Sequence, residues 1–380
     1  MTEPALRAEA RVDLGAIRHS VGTLARKAGD AAVMAVVKAD GYGHGAVPAA
    51  RAALAGGATW LGVALVEEAV QLRTSGLTAP LLVLMEPPPG AAATAVAHDV
   101  VLGLGSLTAL DDAAAAGRAA GRPATVHLKA DTGLTRGGAT GTDWPDLVTA
   151  AAKLEAEGPV RVTGVWSHFA HADDPGHPTI DRQLTLFRNA LDVAAAAGLR
   201  PELRHIANSA ATLTLPAAHF DLVRPGIAVY GLSPIPLSET AAGLDLRPAM
   251  TLRARVALTK RVPTGTGVSY GQRYTTRTDA TVALVPLGYA DGVPRAATNT
   301  AEVLVAGRRR LISGTVCMDQ FVVDCGDDAV AAGDDVVIFG PGTSGEPTAE
   351  DWARALQTIS YEIVTRVGVR VPRTYVGEEA

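Results

Sequence analysis

The sequence predicts an α/β chain in which an N-terminal (β/α)8 barrel of the TIM type is followed by a C-terminal domain rich in β-strands. Between residues 30 and 231, eight short apolar runs alternate with alanine-rich helical stretches. Most runs are continuously apolar, as is typical of parallel strands covered on both faces. Beyond about residue 245 the pattern changes to short alternating strands between glycine turns. The alternation of eight strands with helices favours a barrel over its main rival, a doubly wound open sheet.

The predicted barrel elements follow one another at short intervals. The strands are expected at 33–38, 59–64, 80–85, 99–104, 124–129, 160–168, 203–206 and 221–224. Helical patterns between them include 65–75, 106–120 and 180–198, and the stretch 87–97 is predicted to be a turn leading into a helix. The active site of such a barrel is expected at the C-terminal ends of its strands.

A proline-flanked loop at 233–248 leads into the second predicted domain. Its strands are expected at 250–258 and in the runs VALVPLG, EVLVAG, FVVDC and DVVIFG, with a helix near 349–357. We therefore predict a barrel over residues 12–244 and a β-strand domain over 245–380, with residues 1–11 associated with the latter.

Composition excludes several classes of protein. The chain has 380 residues, a formal net charge of −5 and an isoelectric point near 6.0, which argues against a nucleic-acid-binding protein. No apolar run is long enough to span a membrane, and the start MTEPALRAEARVDL lacks an apolar secretory segment. Only Cys317 and Cys325 could form a disulfide, so we expect no disulfide framework and a cytoplasmic location.

Lysine is rare, with five among the 34 Lys and Arg residues, and Lys38 has the most informative surroundings. It ends an apolar strand and precedes a glycine-rich loop that holds Tyr42 and His44. A lysine at a buried strand end loses solvation, which lowers its pKa and favours the neutral amine needed for Schiff-base formation with an aldehyde. Judged by the residues alone, an ammonium that reaches solvent is an equally open interpretation.

The ends of the seventh and eighth strands predict a phosphate site. The seventh strand leads into ANSA, where Asn208 or Ser209 can cap a helix, and the eighth leads into RPGI, where Gly226 permits close approach of a ligand. Barrels often bind phosphate at these two ends. Each motif alone could be a plain helix cap or turn, but together they favour a phosphorylated ligand. A lysine facing such a site suggests either pyridoxal phosphate or a class I aldolase.

The motif AVVKADGYGHG (35–45) matches the pyridoxal-phosphate attachment motif of bacterial alanine racemases, and the sequence resembles that family over nearly its whole length. The other matching motifs occur in the order found in the family: HLKADTGLTRGG, SHFAHAD, HIANSAAT, RPGIAVYG, GVSYGQRY, GYADGVPR, CMDQ and SYE. The resemblance implies a pyridoxal-phosphate enzyme of fold type III. At Thr315 the family commonly has a basic residue, which leaves the charge of the substrate entrance open.

The resemblance also implies the catalytic roles. Lys38 would carry the cofactor as an internal aldimine and act as the base on one face of the substrate Cα, and Tyr270 would be the base on the opposite face. His168 would hydrogen-bond Tyr270 and tune its acidity. Arg136 and the backbone near Met318 would hold the substrate carboxylate.

Further residues are implied to hold the cofactor or border the substrate. Those expected at the cofactor phosphate are Tyr42, Asn208, Ser209, Gly226, Ile227 and Tyr361, of which Asn208 comes from the capping argument. Arg224 would face the pyridine nitrogen, where a guanidinium cannot relay a proton as a carboxylate would. Lys129 matches a position that carries a carbamate in many family members, and Tyr289 and Asp319 lie near the substrate entrance in the family. His168 and His171 resemble a metal pair, but no third ligand is spaced with them, so no metal is expected.

The predicted function is therefore alanine racemisation, through an external aldimine and two bases, to supply D-alanine for peptidoglycan. The resemblance further implies a homodimer in which Lys38 and Tyr270 of each site come from different chains. Three alternatives stay open at this point: an amino-acid racemase of broader specificity, a non-catalytic pyridoxal-phosphate homeostasis protein, and a related decarboxylase of basic amino acids. The β-strand domain and Tyr270 within it argue against the homeostasis protein, which is typically a barrel alone.

Overall fold

The computed structural model describes residues 6–235 and 243–377. Contacts between Cα atoms divide these residues into two compact units. One, the barrel unit, contains residues 18–41, 46–235 and 243–246, and the other, the β unit, contains residues 6–17, 42–45 and 247–377. The middle of the predicted loop at 233–248, residues 236–242, lies outside the described residues, as do residues 1–5 and 378–380.

The predicted (β/α)8 barrel is confirmed. The first described strand, β1 (Ala8–Asp13), belongs to the β unit, and eight parallel strands of the barrel follow it. They are β2 (Ala32–Val36), β3 (Trp60–Val63), β4 (Leu81–Val83), β5 (Val101–Leu104), β6 (Ala124–Lys129), β7 (Val160–Trp166), β8 (Leu203–His205) and β9 (Leu222–Val223). From β2 to β8 each strand pairs with the next in sequence, and β9 pairs with β2. Between β8 and β9 the backbone amide of Arg224 donates to the carbonyl oxygen of Ala207 (2.9 Å), so the barrel is nearly closed.

Helices follow the strands as predicted. In chain order they are α1 (Leu14–Ala28), α2 (Ala46–Ala55), α3 (Val66–Thr74), α4 (Ala92–Ala97), α5 (Leu107–Ala120), α6 (Trp144–Glu157), α7 (Thr179–Ala196) and α8 (Ser209–Thr214). Their ends follow local sequence signals. At α5, for example, the Ser106 hydroxyl accepts from the Ala109 amide, and Gly121 ends the helix in the left-handed conformation (φ 65°).

Aliphatic side chains fill part of the barrel interior. Met34, Leu82, Val101 and Leu222, from four different strands, form one buried cluster. Layers of side chains from several strands are the usual core of a closed barrel. Aromatic residues make up only 4% of the chain, and aliphatic side chains of this size can pack the interior without them.

Several barrel strands end earlier than the sequence predicts, and for two of them this moves a predicted site residue off the strand. The prediction placed Lys38 and His168 on strands, but β2 ends at Val36 and β7 ends at Trp166, so both residues lie two positions beyond. After β2 the backbone enters a left-handed turn, which cannot continue a strand ladder. Both residues still follow the C-terminal ends of parallel strands, where the site of a barrel is expected.

The β unit contains three sheets. Its remaining strands are β10 (Met250–Arg255), β11 (Leu258–Val262), β12 (Gly267–Val268), β13 (Tyr274–Thr275), β14 (Ala280–Val285), β15 (Glu302–Val305), β16 (Arg308–Leu311), β17 (Phe321–Asp324), β18 (Asp335–Phe339) and β19 (Arg373–Val376). The strand orders are β16-β15-β18-β10-β1-β19, β11-β14-β17 and β12-β13. Helices α9 (Ala349–Leu356) and α10 (Ser360–Thr365) precede the last strand. The prediction of a second region rich in β-strands, with a helix near 349–357, is confirmed.

Strand β1 occupies an inner position of the six-stranded sheet. It pairs antiparallel with β10 and parallel with β19. Ala8, Ala10 and Val12 are buried while Arg11 and Asp13 are exposed, the alternation expected when one face of a sheet is packed. The first described residues are thus a structural part of the β unit.

Within residues 6–235 and 243–377, none of the helices combines the length and the apolar character that crossing a bilayer would require.

Candidate active site

Lys38 begins an unusual stretch of backbone. Ala39, Asp40, Gly41 and Tyr42 have φ of 52°, 52°, 60° and 52°, so four successive residues are left-handed. For residues with a Cβ this conformation costs roughly 1–2 kcal/mol each. The turn forms because other groups hold it: the Gly41 amide donates to Val37 O (2.9 Å), and the Ala46 amide donates to Asp40 Oδ1 (2.8 Å).

The amine of Lys38 has a lowered pKa. Partial burial is the main cause, the positive charge of Arg136 adds to it, and the negative charge of Glu68 opposes it. A larger fraction of the amine is therefore neutral near pH 7 than for an exposed lysine. A neutral amine can attack an aldehyde or accept a proton.

Lys129 lies at the end of β6 in similar surroundings. Burial, followed by the positive charges of Arg136 and Arg224, lowers its pKa to about 8. Its Nζ atom lies 4.5 Å from the centre of the Trp166 ring. Arg136 acts on both lysines, so the structure groups these three predicted residues within the barrel unit.

Arg224 is buried and forms the centre of a hydrogen-bond network. Its Nη2 donates to Ser167 O (2.7 Å) and to Nδ1 of His168 (3.3 Å), and its Nη1 donates to Nδ1 of His205 (2.8 Å). The guanidinium also lies over the Trp166 ring, 4.8 Å from its centre. Burial lowers the pKa of Arg224 to about 9, so the side chain stays charged at pH 7.

This network determines the protonation of the neighbouring histidines. A guanidinium only donates, so His168 and His205 accept at Nδ1 and carry their proton at Nε2. Nε2 of His205 then donates to Nδ1 of His127 (2.9 Å). Burial, followed by the charge of Arg224, holds the pKa of His168 and His205 well below the usual histidine value, so both are neutral at pH 7.

The loops after β8 and β9, where the sequence predicts a phosphate site, are in contact. Asn208 caps α8 by accepting from the Ala211 amide (3.1 Å). The buried hydroxyl of Ser209 accepts from the amides of Gly226 (2.8 Å) and Ala228 (3.4 Å). Ile227, which opens the 3-10 helix Ile227–Tyr230, is also buried. Asn208, Ser209, Gly226 and Ile227 are thus adjacent in the barrel unit.

Tyr42 and Tyr361 lie together in the β unit, with their ring centres 6.2 Å apart. Burial, followed by the charge of Tyr361, raises the pKa of Tyr42. Its phenol therefore remains protonated at neutral pH and can donate a hydrogen bond. A proton donor is the group that a phosphate requires.

Tyr270 is the most exposed of the predicted site residues of the β unit, with 75% of its surface accessible. It follows Ser269, whose φ is 62°, and its carbonyl oxygen accepts from the Thr315 hydroxyl (2.7 Å). The Ser269 hydroxyl donates to Thr315 O (2.7 Å). Thr315, the departure from the family pattern, therefore holds both Ser269 and Tyr270 in place. A cavity of about 300 Å³, lined in part by Tyr270, Ser269 and Cys317, opens beside them.

Met318, Tyr289 and Asp319 are grouped nearby in the same unit. The amide of Tyr289 donates to Cys317 O (3.0 Å), and that of Ala290 donates to Met318 O (3.0 Å). Met318 and Tyr289 are 53% and 45% exposed. Asp319 forms an ion pair with Arg370 (2.8 Å). The loop at 288–290 and the loop at 317–319 are therefore adjacent, and they carry Tyr289, Met318 and Asp319 on one part of the β unit.

The structure adds residues that the sequence did not single out. His205 and His127 stood in the motifs HIANSAAT and HLKADTGLTRGG without an assigned role, and Glu68 lay in a predicted helix. Their contacts join segments far apart in the chain, so no local pattern could identify them. In the part of the chain that the structure describes, no group of three or more His, Cys, Asp or Glu side chains could hold a metal ion, and His171 stacks on His177 (3.9 Å).

The fold and the site define a barrel enzyme with a desolvated lysine at a strand end and an additional β-rich unit. Family models of the alanine racemase N-terminal and C-terminal domains match residues 12–234 and 249–375. The chain belongs to the alanine racemase family. It is an isomerase that interconverts L-alanine and D-alanine.

Individual relatives are similar over nearly their full lengths. The chain is 65% identical to the alanine racemase of Frankia casuarinae, with 98% of this chain and 97% of the relative covered. It is similar to the crystal structure of alanine racemase from Streptomyces lavendulae, with a TM-score of 0.97, 55% identity and 99% of both chains covered. The corresponding values for the Streptomyces coelicolor enzyme are 0.96, 57% and 98% of both chains. The predicted family, fold class and activity are confirmed.

Proposed function

We propose that the enzyme racemises alanine with pyridoxal phosphate bound covalently to Lys38, and with Lys38 and Tyr270 as the two bases. The observation that carries the proposal is the half-buried amine of Lys38, whose pKa is lowered at the C-terminal edge of the barrel. Only a neutral amine can form a covalent bond with an aldehyde. When bound, pyridoxal phosphate makes the α-hydrogen of alanine more acidic by delocalising the charge left on Cα.

The residues present fit this cofactor. Ser209 would supply its hydroxyl proton and Ile227 its backbone amide to the phosphate, while Asn208 caps α8 beside it and Gly226 holds the Ser209 oxygen through its amide. Two tyrosines that we also assign to the phosphate, Tyr42 and Tyr361, lie together, and the pKa of Tyr42 is raised by burial so that its phenol can donate. The donor set is thus suited to a dianionic group.

Arg224 is the residue that we assign to the pyridine nitrogen. A guanidinium keeps its protons at neutral pH, so Arg224 would donate a hydrogen bond to this nitrogen without transferring a proton to it. Less charge would then be withdrawn from Cα by the bound cofactor than with a carboxylic acid in place of Arg224. Proton return to Cα is accordingly favoured over reactions that need a long-lived charge, such as transamination.

Lys38 and Tyr270 move the proton. Inversion at Cα requires removal of a proton from one face and delivery to the other, so two separate groups must flank the carbon. His168 is neutral and carries its proton at Nε2, and we assign it to donate from this atom to the oxygen of Tyr270 of the partner subunit. Such a bond stabilises the deprotonated phenol, which is the form that can act as a base.

The remaining predicted residues bind or border the substrate. Arg136 and the Met318 backbone are assigned to the alanine carboxylate, and Tyr289 and Asp319 to the entrance. Lys129 is assigned a carbamate that pairs with Arg136. The amine pKa of about 8 supports this assignment, because only the neutral amine reacts with CO2.

We infer that the working enzyme is a homodimer in which Lys38 of one chain faces Tyr270 of the partner subunit. Lys38 and Tyr270 belong to different units, and the ring of Tyr270 is exposed beside a cavity, where a second chain could cover it.

The two free cysteines support a cytoplasmic location, and supply of D-alanine for peptidoglycan is the expected role.

Exchange of the α-hydrogen tests the two-base proposal. In Lys38→Ala and Tyr270→Phe, reloaded with pyridoxal phosphate, racemisation should fall by about 10³-fold or more, since each lacks one proton-transfer group. The substrate is alanine deuterated at Cα, and NMR in ordinary water follows replacement of the deuterium by hydrogen. Each variant should lose this exchange with a different enantiomer of alanine. Loss of exchange from the same enantiomer in both variants would overturn the assignment of opposite faces.

A further inference from the structure

The carboxylate of Glu68 connects three segments of the barrel unit. One oxygen accepts from the amide of Ala39 (2.6 Å), and the other accepts from the amides of Ala64 (2.8 Å) and Leu65 (3.1 Å). Glu68 lies in the first turn of α3, so the last two bonds cap its own helix. The first bond reaches 29 residues back along the chain, to the residue directly after Lys38.

The segment that Glu68 holds is one that needs support. Ala39 and Asp40 are left-handed although both have a Cβ, a conformation that the chain adopts as consecutive residues only when its surroundings compensate. Asp40 is held through its own side chain by the Ala46 amide (2.8 Å). Ala39 has no polar side chain, and the Glu68 carboxylate binds its backbone amide. Glu68 therefore stabilises the first residue of the turn.

We propose that Glu68 is a positioning residue for racemisation: it fixes the left-handed turn from which the Lys38 side chain extends, and its negative charge acts on the Lys38 amine. This inference rests on the proposed function of Lys38 as the residue that carries the cofactor. Glu68 touches neither cofactor nor substrate in this role and acts through Lys38.

The electrostatic part has a defined direction. The charged groups that act on the Lys38 amine are Arg136, which lowers its pKa, and Glu68, which raises it. The two oppose each other, so Glu68 limits how far the lysine pKa falls. Loss of the Glu68 charge should lower the pKa of Lys38 further, while Lys129, which responds to Arg136, Arg224, Asp131 and Glu86, should be unaffected.

The test compares Glu68→Gln with Glu67→Gln. Both remove one negative charge from the first turn of α3, but Glu67 is exposed and serves as the matched control. A glutamine at position 68 has one carbonyl oxygen, so its NH2 group must face either the Ala39 amide or the pair at Ala64 and Leu65. One of the two connections is lost in either orientation.

Two measurements on the full-length protein decide the proposal. The first is the rate of cofactor release, which the visible absorbance of the lysine-bound cofactor monitors. Release should be at least about tenfold faster in Glu68→Gln than in wild type or Glu67→Gln, because hydrogen bonds to a charged group are strong. The second is the pH profile of acetylation in cofactor-free protein, resolved by peptide mass spectrometry. Its midpoint at Lys38 should move to lower pH in Glu68→Gln alone, with the Lys129 midpoint unchanged as an internal control.

The outcomes separate the two proposals. If wild type carries no cofactor on Lys38, the proposed function fails, while the acetylation profile still decides whether Glu68 acts on the Lys38 amine. If Glu68→Gln matches Glu67→Gln in both measurements, the positioning role is overturned. If Glu68→Gln does not fold, hydrogen exchange of the Ala39 amide is measured in the wild-type protein instead. Slow exchange supports the bond between this amide and Glu68, and exchange at the rate of an unprotected amide overturns the proposal.

Discussion

Arg224 shows how one buried side chain can organise a site. It donates to Ser167 O and to Nδ1 of His168 and His205, and so fixes the tautomer of both rings. Because an arginine cannot accept a hydrogen bond, this assignment has no alternative while the bonds persist. The proton at Nε2 of His168, which the proposed mechanism uses, is therefore a consequence of Arg224.

Replacement of Arg224 by lysine should be costly although the charge is kept. An ammonium lacks the planar fork that reaches both histidines and a carbonyl at once, so buried acceptors lose their donor. We expect the free energy of unfolding to fall by about 2 kcal/mol, measured by urea denaturation at fixed protein concentration. Arg204→Lys is the control, because its ion pair with Asp221 is partly exposed and should contribute less than about 1 kcal/mol. Equal losses in the two variants would contradict this view of Arg224.

Lys129 should respond to pH and CO2 in a defined way. Carbamate formation joins the neutral amine to the carbon of CO2 and releases a proton, so it requires the deprotonated lysine. Burial lowers the pKa of Lys129 to about 8, and the neutral fraction therefore rises as pH increases through that value. A carbamate signal from ¹³C-labelled bicarbonate should grow between about pH 6 and about pH 9. It should vanish in Lys129→Ala and persist in Lys153→Ala, where the lysine is exposed; a signal that survives in Lys129→Ala would contradict the assignment.

At the scale of elements, the strands were predictable and the turns that carry the chemistry were not. Continuous apolar runs identified all eight barrel strands, because parallel strands buried on both faces leave that pattern. The left-handed turn after Lys38 has no such pattern: Ala39 adopts it against its own preference, through a bond to Glu68. The roles of the residues at the strand ends could be predicted in detail only because resemblance to a family identified them. The bond between His127 on β6 and His205 on β8 joins two strands that β7 separates in the sheet, so neither motif could predict it.

Gly288 directly precedes Tyr289, and its position leaves no room for a side chain. A Cβ on Gly288 would lie 2.3 Å from the carbonyl oxygens of Cys317 and Met318. Gly288→Ala should therefore displace the two loops, raise the KM for alanine, and lower the free energy of unfolding by about 2 kcal/mol. Gly141→Ala, where a Cβ would meet nothing within 4 Å, should change stability by less than about 0.5 kcal/mol. Thermal unfolding and steady-state kinetics of both variants check this; unchanged kinetics in Gly288→Ala would contradict it.

At the scale of the whole molecule, the two units do not follow the order of the sequence. Strand β1 and residues 42–45 group with the C-terminal β unit, although both precede most of the barrel in the chain. Tyr42 thereby joins Tyr361, more than 300 positions later, while Lys38, four residues earlier, groups with the barrel. Long-range pairing of this kind depends on the completed fold, so sequence periodicity could not predict it. The predicted domain limits, 12–244 and 245–380, divide the chain at a single position and remain a prediction.

Subunit mixing tests the shared site. Lys38→Ala and Tyr270→Ala homodimers should each be inactive, but a hybrid dimer would contain one site with both bases intact. With random exchange about half of the dimers are hybrids, so about a quarter of wild-type activity should return. No recovery after subunit exchange has been verified by mass spectrometry would show that both bases of a site come from one chain.

The most direct test of the central claim is reduction of the purified wild-type enzyme with borohydride, followed by peptide mass mapping. Reduction converts the linkage between lysine and cofactor into a stable amine, so the modified residue can be identified. We predict a phosphopyridoxyl group on Lys38 and none on the other four lysines, including Lys129. Modification of a different lysine, or an unmodified Lys38 in active enzyme, would contradict the account.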